Sequence, residues 1–408
     1  MIRTALLMLQ GKQNAGKGNR HHRPHAKAGF AVPGPERAAR PLSRIPPDPH
    51  GTGQPPFVPH DAPHRVGRGR DMDMAARLGL RVPVIQAPMA GVSTPALAAA
   101  VSNAGGLGSL GLAAMTPGQA AAAMAEMRRL TARPFGVNLF CHRPQPRDPV
   151  AEAHWLDRLA PHFARFGAAV PTTLTPGYPS VLESHALFDA VRSAGPALVT
   201  FHFGLPRPSQ IAALRERGCL LGASATSPAE ARRIRDAGLD LIIAQGWQAG
   251  GHRGMFNPDG PDERLDTLDL VARLASLDLP VIAAGAIMDR ADTRRALEAG
   301  AIAVQCGTAF LQAPEAASSP AHRAALAQGG TAMTRAISGR PARCCTNDFT
   351  AIPDEGSPGY PVTYAAGKAL DAAARAQGVF SFGAHWAGSG CARTVARPAA
   401  DTLAALAP

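Results

Sequence analysis

Residues 239–254 read LDLIIAQGWQAGGHRG. The run from Leu239 to Ala244 has the length and apolarity of a strand buried on both faces. Gln245 ends it, and a loop of small residues follows that carries one imidazole, His252, and one guanidinium, Arg253. Glycines at 246, 250 and 251 let the backbone approach a flat or anionic group where a Cβ would collide. A titratable residue just past the carboxyl end of a buried strand is where α/β proteins place their chemistry. The competing reading is a glycine-rich surface loop with a solvated histidine.

On either side of this stretch the same design repeats. Apolar runs at 82–89, 106–111, 134–140, 197–204, 220–226, 239–246, 280–287 and 301–310 read as strands. Amphipathic segments rich in Ala and Arg separate most of them. SPAEARRIRDAG (227–238) has Ser227 as N-cap, Pro228 in the first turn and Gly238 past the end. MDRADTRRALEAG (288–300) repeats this with Asp289 in the cap region and Gly300 closing it. Eight strands alternating with helices predict an α/β fold, a (β/α)8 TIM barrel, rather than a doubly wound sheet. No GxGxxG opens the first βα turn, which disfavours a dinucleotide-binding domain. The long connection 141–196 is expected to hold inserted helices over the barrel mouth.

Two of the last strands end in anion-binding chemistry. Gly285-Ala286 precedes the helix of 289–299, and Gly307-Thr308 ends the eighth strand. In such barrels the loops after strands seven and eight bind phosphate through free amides and a helix N-terminus. Ordinary loop glycine is the alternative. With Gln86, Asn138 and Gln245 expected to point into the mouth, a flat phosphorylated cofactor such as FMN fits; spacing alone does not separate it from a sugar phosphate.

The segments IQAPMAGVSTPALAAAVSNAGGLGSLG (85–111), FGVNLF (135–140), FHFGLP (201–206), AQGWQAGGHRG (244–254), VIAAGAIMDR and VQCGTAFL resemble, in order, the nitronate monooxygenase family, formerly the 2-nitropropane dioxygenases. FHFGLP with AGGHRG is similar to its class I branch. The resemblance spans roughly residues 80 to 395. It implies a TIM barrel with non-covalent FMN, a lid, and oxidation of alkyl nitronates such as propionate 3-nitronate by O2 to a carbonyl compound and nitrite. His252 falls on the family's active-site histidine. Ala87, Pro88, Met89, Asn138, Gln245, Gly250, Gly251, Gly285, Ala286, Gln305, Cys306, Gly307 and Thr308 fall on FMN-binding positions. Two residues depart from the pattern: Gln248 stands where Glu is common, and Ala286 replaces a glycine. The alanine is harmless if its φ is negative and strained otherwise.

Only three tyrosines exist, Tyr178, Tyr360 and Tyr364. Tyr360, Tyr364 and Lys368 are spaced i, i+4, i+8, one face of a helix if Pro361 lies in its first turn. Such a face can hold an anionic nitronate, and the resemblance assigns Tyr178, His202, Tyr360, Tyr364 and Lys368 to the substrate. The alternatives are a surface helix with a snorkelling lysine and, for His202, a core histidine satisfied by backbone.

Composition divides the 408 residues unevenly. Residues 1–70 carry twelve Lys or Arg against three Asp or Glu, and eleven of the 38 prolines. This basic, Pro- and His-rich extension, 1–71, is expected to be disordered. Basic arms bind nucleic acid and Arg-rich leaders direct transit, but the favoured reading is that translation begins at Met72 or Met74. Residues 72–311 then form the FMN-binding barrel, and 312–408 a helical lid segment with the final barrel helix. No apolar run spans a membrane, and the six cysteines lack metal spacing, as in a cytoplasmic enzyme with reduced thiols. The expected partners are a small nitronate and O2, without nucleic acid, membrane or metal; oligomeric state is open. Two other functions compete: a reduced-nicotinamide-dependent quinone or enoyl-thioester reductase on the same flavin barrel, and a non-redox phosphate-binding isomerase.

Overall fold

A computed structural model describes residues 68–175 and 177–408. The eight expected strands all form, each shorter than its apolar run. They are β1 (Val84–Gln86), β2 (Gly108–Gly111), β3 (Phe135–Phe140), β4 (Leu198–His202), β5 (Leu220–Ala225) and β6 (Leu241–Gln245), with β8 (Val281–Ala284) and β9 (Ala303–Cys306). All pair in parallel in the order β1-β9-β8-β6-β5-β4-β3-β2, and an Ile85–Leu107 bridge brings the two ends of the sheet together. The result is a (β/α)8 barrel. Its strands are buried almost throughout because helices cover the outside while side chains fill the inside.

Sequence-encoded caps hold the helices in place. Ser227 Oγ accepts from Glu230 N at 3.3 Å and Asp289 Oδ1 from Asp292 N at 2.9 Å. Inside the barrel, Leu198, Leu220, Leu241 and Ile282 form a cluster with Met74 of the helix Arg68–Arg77 and Leu78 just past its end. Each such side chain contributes about 1.5–3 kcal/mol by leaving water. The expectation of disorder for 1–71 lies outside the described residues up to position 67. Residues 68–71 do not fit it: they open the helix that Met74 and Leu78 anchor.

The connection 141–196 holds two helices of different function. His185–Ala194 packs on the barrel helix Pro117–Leu130. Pro149–Arg165 is the insertion; it packs on the lid helix Val362–Ala376, burying Trp155, Leu159 and Phe163 against Phe349 and Leu370. The final barrel helix is Ala399–Leu406, in contact with Pro95–Ala104 and Arg290–Glu298.

One sheet was not legible in the sequence. The stretch read as a loop contains β7 (Gly251–His252), which pairs antiparallel with β11 (Ala342–Cys345), and β11 pairs with β10 (Thr331–Thr334). The 312–408 segment is therefore helical only in part. Its strands reach back to His252 and fix the loop that carries it. Among the described residues no helix is long and apolar enough to cross a membrane. All six cysteines are buried and free.

Candidate active site

The carboxyl ends of the barrel strands surround a cavity of about 310 Å3. All thirteen positions expected to contact a cofactor line it, from Ala87, Pro88 and Met89 after β1 to Gly307 and Thr308 after β9. Asn138 on β3 donates Nδ2–H to Thr200 Oγ1 at 2.9 Å and to Thr200 O at 3.1 Å, which leaves its Oδ1 to the cavity. The Gln305 side chain has no hydrogen-bond partner within the described residues and stands available to a ligand. Gln86 does not point into the mouth. It is fully buried, donates to Ser93 Oγ at 2.8 Å and accepts from Ser109 N at 3.0 Å, so it braces the loop that contains Ala87–Met89.

Glycine is required where backbones meet. A Cβ on Gly250 would fall 2.4 Å from Gly388 N, and one on Gly285 would fall 2.7 Å from Thr267 Oγ1, at a φ of +126°. Ala286, the departure from the glycine pattern, takes φ +55°. The left-handed region costs an alanine about 1–2 kcal/mol, so the strained alternative is the one realised. The other departure is benign. Gln248 Oε1 accepts from Thr267 N at 3.0 Å and Thr267 Oγ1 at 3.2 Å, so a neutral amide supplies the acceptor for the start of the helix Thr267–Leu274.

His252 is held through backbone and ring. Its carbonyl accepts Gln245 Nε2–H at 2.8 Å and lies 3.2 Å from His202 Nε2. That nitrogen must therefore carry the proton, and His202 Nδ1 accepts from Ser224 Oγ at 2.8 Å. Gln245 Oε1 accepts from Gly254 N at 2.7 Å, so this side chain positions the loop. Arg253 is buried, paired with Asp262 at 2.8 Å, and donates to the Gln245 and Gly246 carbonyls, both at 3.0 Å. The guanidinium of the motif thus clamps the loop to β6.

Aromatic rings surround the imidazole. Phe203, Tyr360, Tyr364 and Trp386 have centroids 5.6, 5.6, 6.0 and 5.0 Å from it. Tyr178, at φ +60°, stacks on Tyr364 at 4.9 Å, and Trp386 Nε1 donates to Tyr364 Oη at 3.3 Å. Tyr178, His202, His252 and Tyr364 line the cavity, whereas Tyr360 and Lys368 do not. Lys368 is exposed, its Nζ 4.4 Å from the Tyr178 ring and 5.3 Å from that of Tyr364, a cation–π cap on the stack. Pro361 does not sit in the first turn. The helix begins at Val362, so Tyr360 precedes it and is not part of the helical face that Tyr364 and Lys368 share.

Burial sets the protonation states. Loss of water lowers His252 to about 3, with His202 and Arg340 acting in the same direction. His202 falls to about 4, again by burial first. Both imidazoles are neutral at pH 7. Burial also raises the Tyr364 phenol and the Cys306 thiol, which stay protonated.

Several residues of the site escaped sequence reasoning. Ser338 Oγ lies 2.9 Å from His252 Nε2, and Trp386, His322, Gly388 and Gly390 complete the cavity wall. They come from the last hundred residues, and no local pattern marks them. Gly388 N donates to Thr308 Oγ1 at 2.9 Å, closing the cradle after β9.

Residues 73–407 match a protein-family model described as nitronate monooxygenase. A nitronate monooxygenase of Paraburkholderia phytofirmans is 51% identical over 337 residues, 81% of this chain and 92% of that protein. One from Pseudomonas aeruginosa is 48% identical, covering 81% and 96%. Among solved structures, a nitroalkane oxidase from Streptomyces ansochromogenes superposes with a TM-score of 0.76 at 36% identity, covering 81% of this chain and 96% of that one. FabK from Thermotoga maritima gives 0.63 at 28% identity, covering 82% and 94%.

Proposed function

This chain belongs to the nitronate monooxygenase family, and from that premise we propose that it oxidises alkyl nitronates, propionate 3-nitronate among them, with O2 to a carbonyl compound and nitrite, using non-covalently bound FMN. The observation that carries this reading is His252, its ring fixed 2.9 Å from Ser338 Oγ at the edge of a cavity that also presents glycine loops and side-chain amides.

The residues present fit the cofactor. The loops Gly285–Ala286 and Gly307–Thr308 offer backbone amides to a phosphate, with the helix Arg290–Glu298 following the first of them. Asn138 Oδ1 and the Gln305 amide offer polar contacts to a flat ring system, and Gly250 and Gly251 line the same cavity. Bound there, FMN supplies the electron-transfer chemistry.

The chain's own residues bind and orient the substrate and govern protons. Ser338 Oγ stands 3.3 Å from Arg340 O, to which its hydroxyl donates, so it accepts the proton of His252 Nε2. The lone pair of His252 then lies on Nδ1. A neutral nitroalkane can give its α-proton to that nitrogen; a preformed nitronate has none to give. Tyr178, Tyr364 and Trp386 keep water from this position and leave an apolar wall for the alkyl chain.

Purified protein given propionate 3-nitronate should consume O2 and release nitrite with no reduced nicotinamide present, and denaturation should release FMN, not FAD. Oxidation of NADH or NADPH coupled to a quinone or enoyl thioester, without O2 uptake on nitronates, would assign the chain to the reductase chemistry instead. Colourless protein that FMN does not reconstitute would exclude both.

A further inference from the structure

Next to the His252 ring lies a second, smaller cavity of about 40 Å3, with room for about three water-sized occupants or one small ion. Tyr360 stands between the two spaces. Its ring packs 5.6 Å from His252 on one side, and on the other it lines the small cavity with His142, whose ring is 5.0 Å away and perpendicular.

Three polar side chains on this wall are removed from water, while Arg143, Gln145 and Asp259 at its rim are exposed. Tyr360, His142 and Arg340 are only 3%, 4% and 3% exposed. Neither the Tyr360 hydroxyl nor His142 Nδ1 has a hydrogen-bond partner among the described residues. Buried polar atoms are seldom left so, because the desolvation cost is uncompensated. Arg340 donates Nη1 to Met255 O at 2.8 Å and lies 4.1 Å over the Phe203 ring, but neither contact cancels its charge. Among the described residues the one acidic group on the wall, Asp259, is paired with Arg335 at 2.8 Å, and it and Glu230 offset the burial of Arg340 only in part. Arg143 adds a second guanidinium. Water can satisfy the hydroxyl and the imidazole; it cannot balance a buried cation.

We propose that this cavity binds one small monovalent inorganic anion, the size of chloride or nitrite, held by the Arg340 guanidinium and the Tyr360 hydroxyl. In its absence the burial of Arg340 lowers the guanidinium to about 10, the direction that an adjacent anion would reverse. Nitrite is the inorganic product of the reaction proposed above, so the site lies where that product can pause beside His252. This last link rests on the proposed function; the anion site does not.

Tyr360→Phe removes a hydroxyl that has no protein partner, so the variant folds, and in a buffer whose only anion is a bulky sulfonate it melts no lower than wild type. Adding sodium nitrite or sodium chloride at constant ionic strength should raise the wild-type Tm through binding to the native state. Tyr360→Phe should weaken the apparent affinity about tenfold or more, as loss of a hydrogen bond to a charge does. Crystals grown in bromide should show one anomalous peak within hydrogen-bonding reach of Tyr360 Oη and Arg340. A response to nitrite alone would mark a product site and a response to both a general anion site; either supports the proposal. Melts unmoved by both salts, a full response kept by Tyr360→Phe, or water alone in the bromide map would overturn it. None of these measurements requires turnover, so their failure is distinct from failure of the nitronate chemistry.

Discussion

Ser338 Oγ and His252 Nε2 lie 2.9 Å apart, although 86 residues separate them in the chain. The contact exists because β11 pairs with β7 and returns the 338–340 turn against the imidazole. On the proposed function it sets which ring nitrogen carries the proton, and so which is left to take one from a substrate.

Ser338→Ala removes that orientation without removing the base. Ser338 is fully buried and its hydroxyl also bonds Arg340 O, so the variant should lose about 1–2 kcal/mol of stability. Oxidation of neutral nitroalkanes should fall by about tenfold or more, while preformed nitronates are affected less. Ser338→Thr should restore most of the difference. Equal losses on both substrate forms would show that the serine acts through stability alone.

Ala286→Gly tests the strained cofactor loop. At φ +55° glycine avoids the left-handed penalty of alanine but loses more chain entropy, and the balance favours the variant by about 0.5–1 kcal/mol. Thermal unfolding and FMN release on dilution should both show the gain. Lower stability or faster FMN loss in Ala286→Gly would show that the methyl group packs favourably where it is.

Stability should decline sharply in acid. His142, His202 and His322 are lowered to about 4 and His252 to about 3, all mainly by burial, against an ordinary value near 6.5. The unfolded chain therefore binds protons that the folded chain refuses, and stability falls as pH drops from about 6.5 towards 4. Each imidazole removes up to about 1.4 kcal/mol per pH unit in that window. Denaturant unfolding between pH 7 and 5 measures the slope; a flat profile would show these rings to be hydrated.

The barrel was legible because its strands are buried on both faces and its helices carry their own caps. Ser227, Asp289 and the glycines after them fix boundaries locally, with no tertiary information needed. The glycines expected to form a cofactor cradle do line the cavity, Gly285 because its φ of +126° favours glycine and Gly250 because Gly388 comes too close for a Cβ. What the sequence concealed depends on contacts between distant segments. β7 is two residues long and is a strand only because Ala342 and Arg343 pair with it. The i, i+4, i+8 spacing of Tyr360, Tyr364 and Lys368 suggested one face, but the helix starts two residues after Tyr360, which sends that ring to the smaller cavity. Spacing, charge and the family resemblance assign Lys368 to an anionic substrate; the fold places its exposed ammonium over the Tyr178–Tyr364 stack.

The central claim is that His252 acts as a neutral imidazole whose free nitrogen takes a proton from the substrate carbon, and the rates of His252→Asn on two ionisation states of one substrate test it most directly. Asparagine keeps a hydrogen-bonding group of similar size and removes the base. With FMN retained, turnover of the neutral nitroalkane should drop by about 10²–10⁴, the usual contribution of a general base, while turnover of the preformed nitronate changes far less. Wild-type rates on both forms, or equal losses on both, would contradict the account.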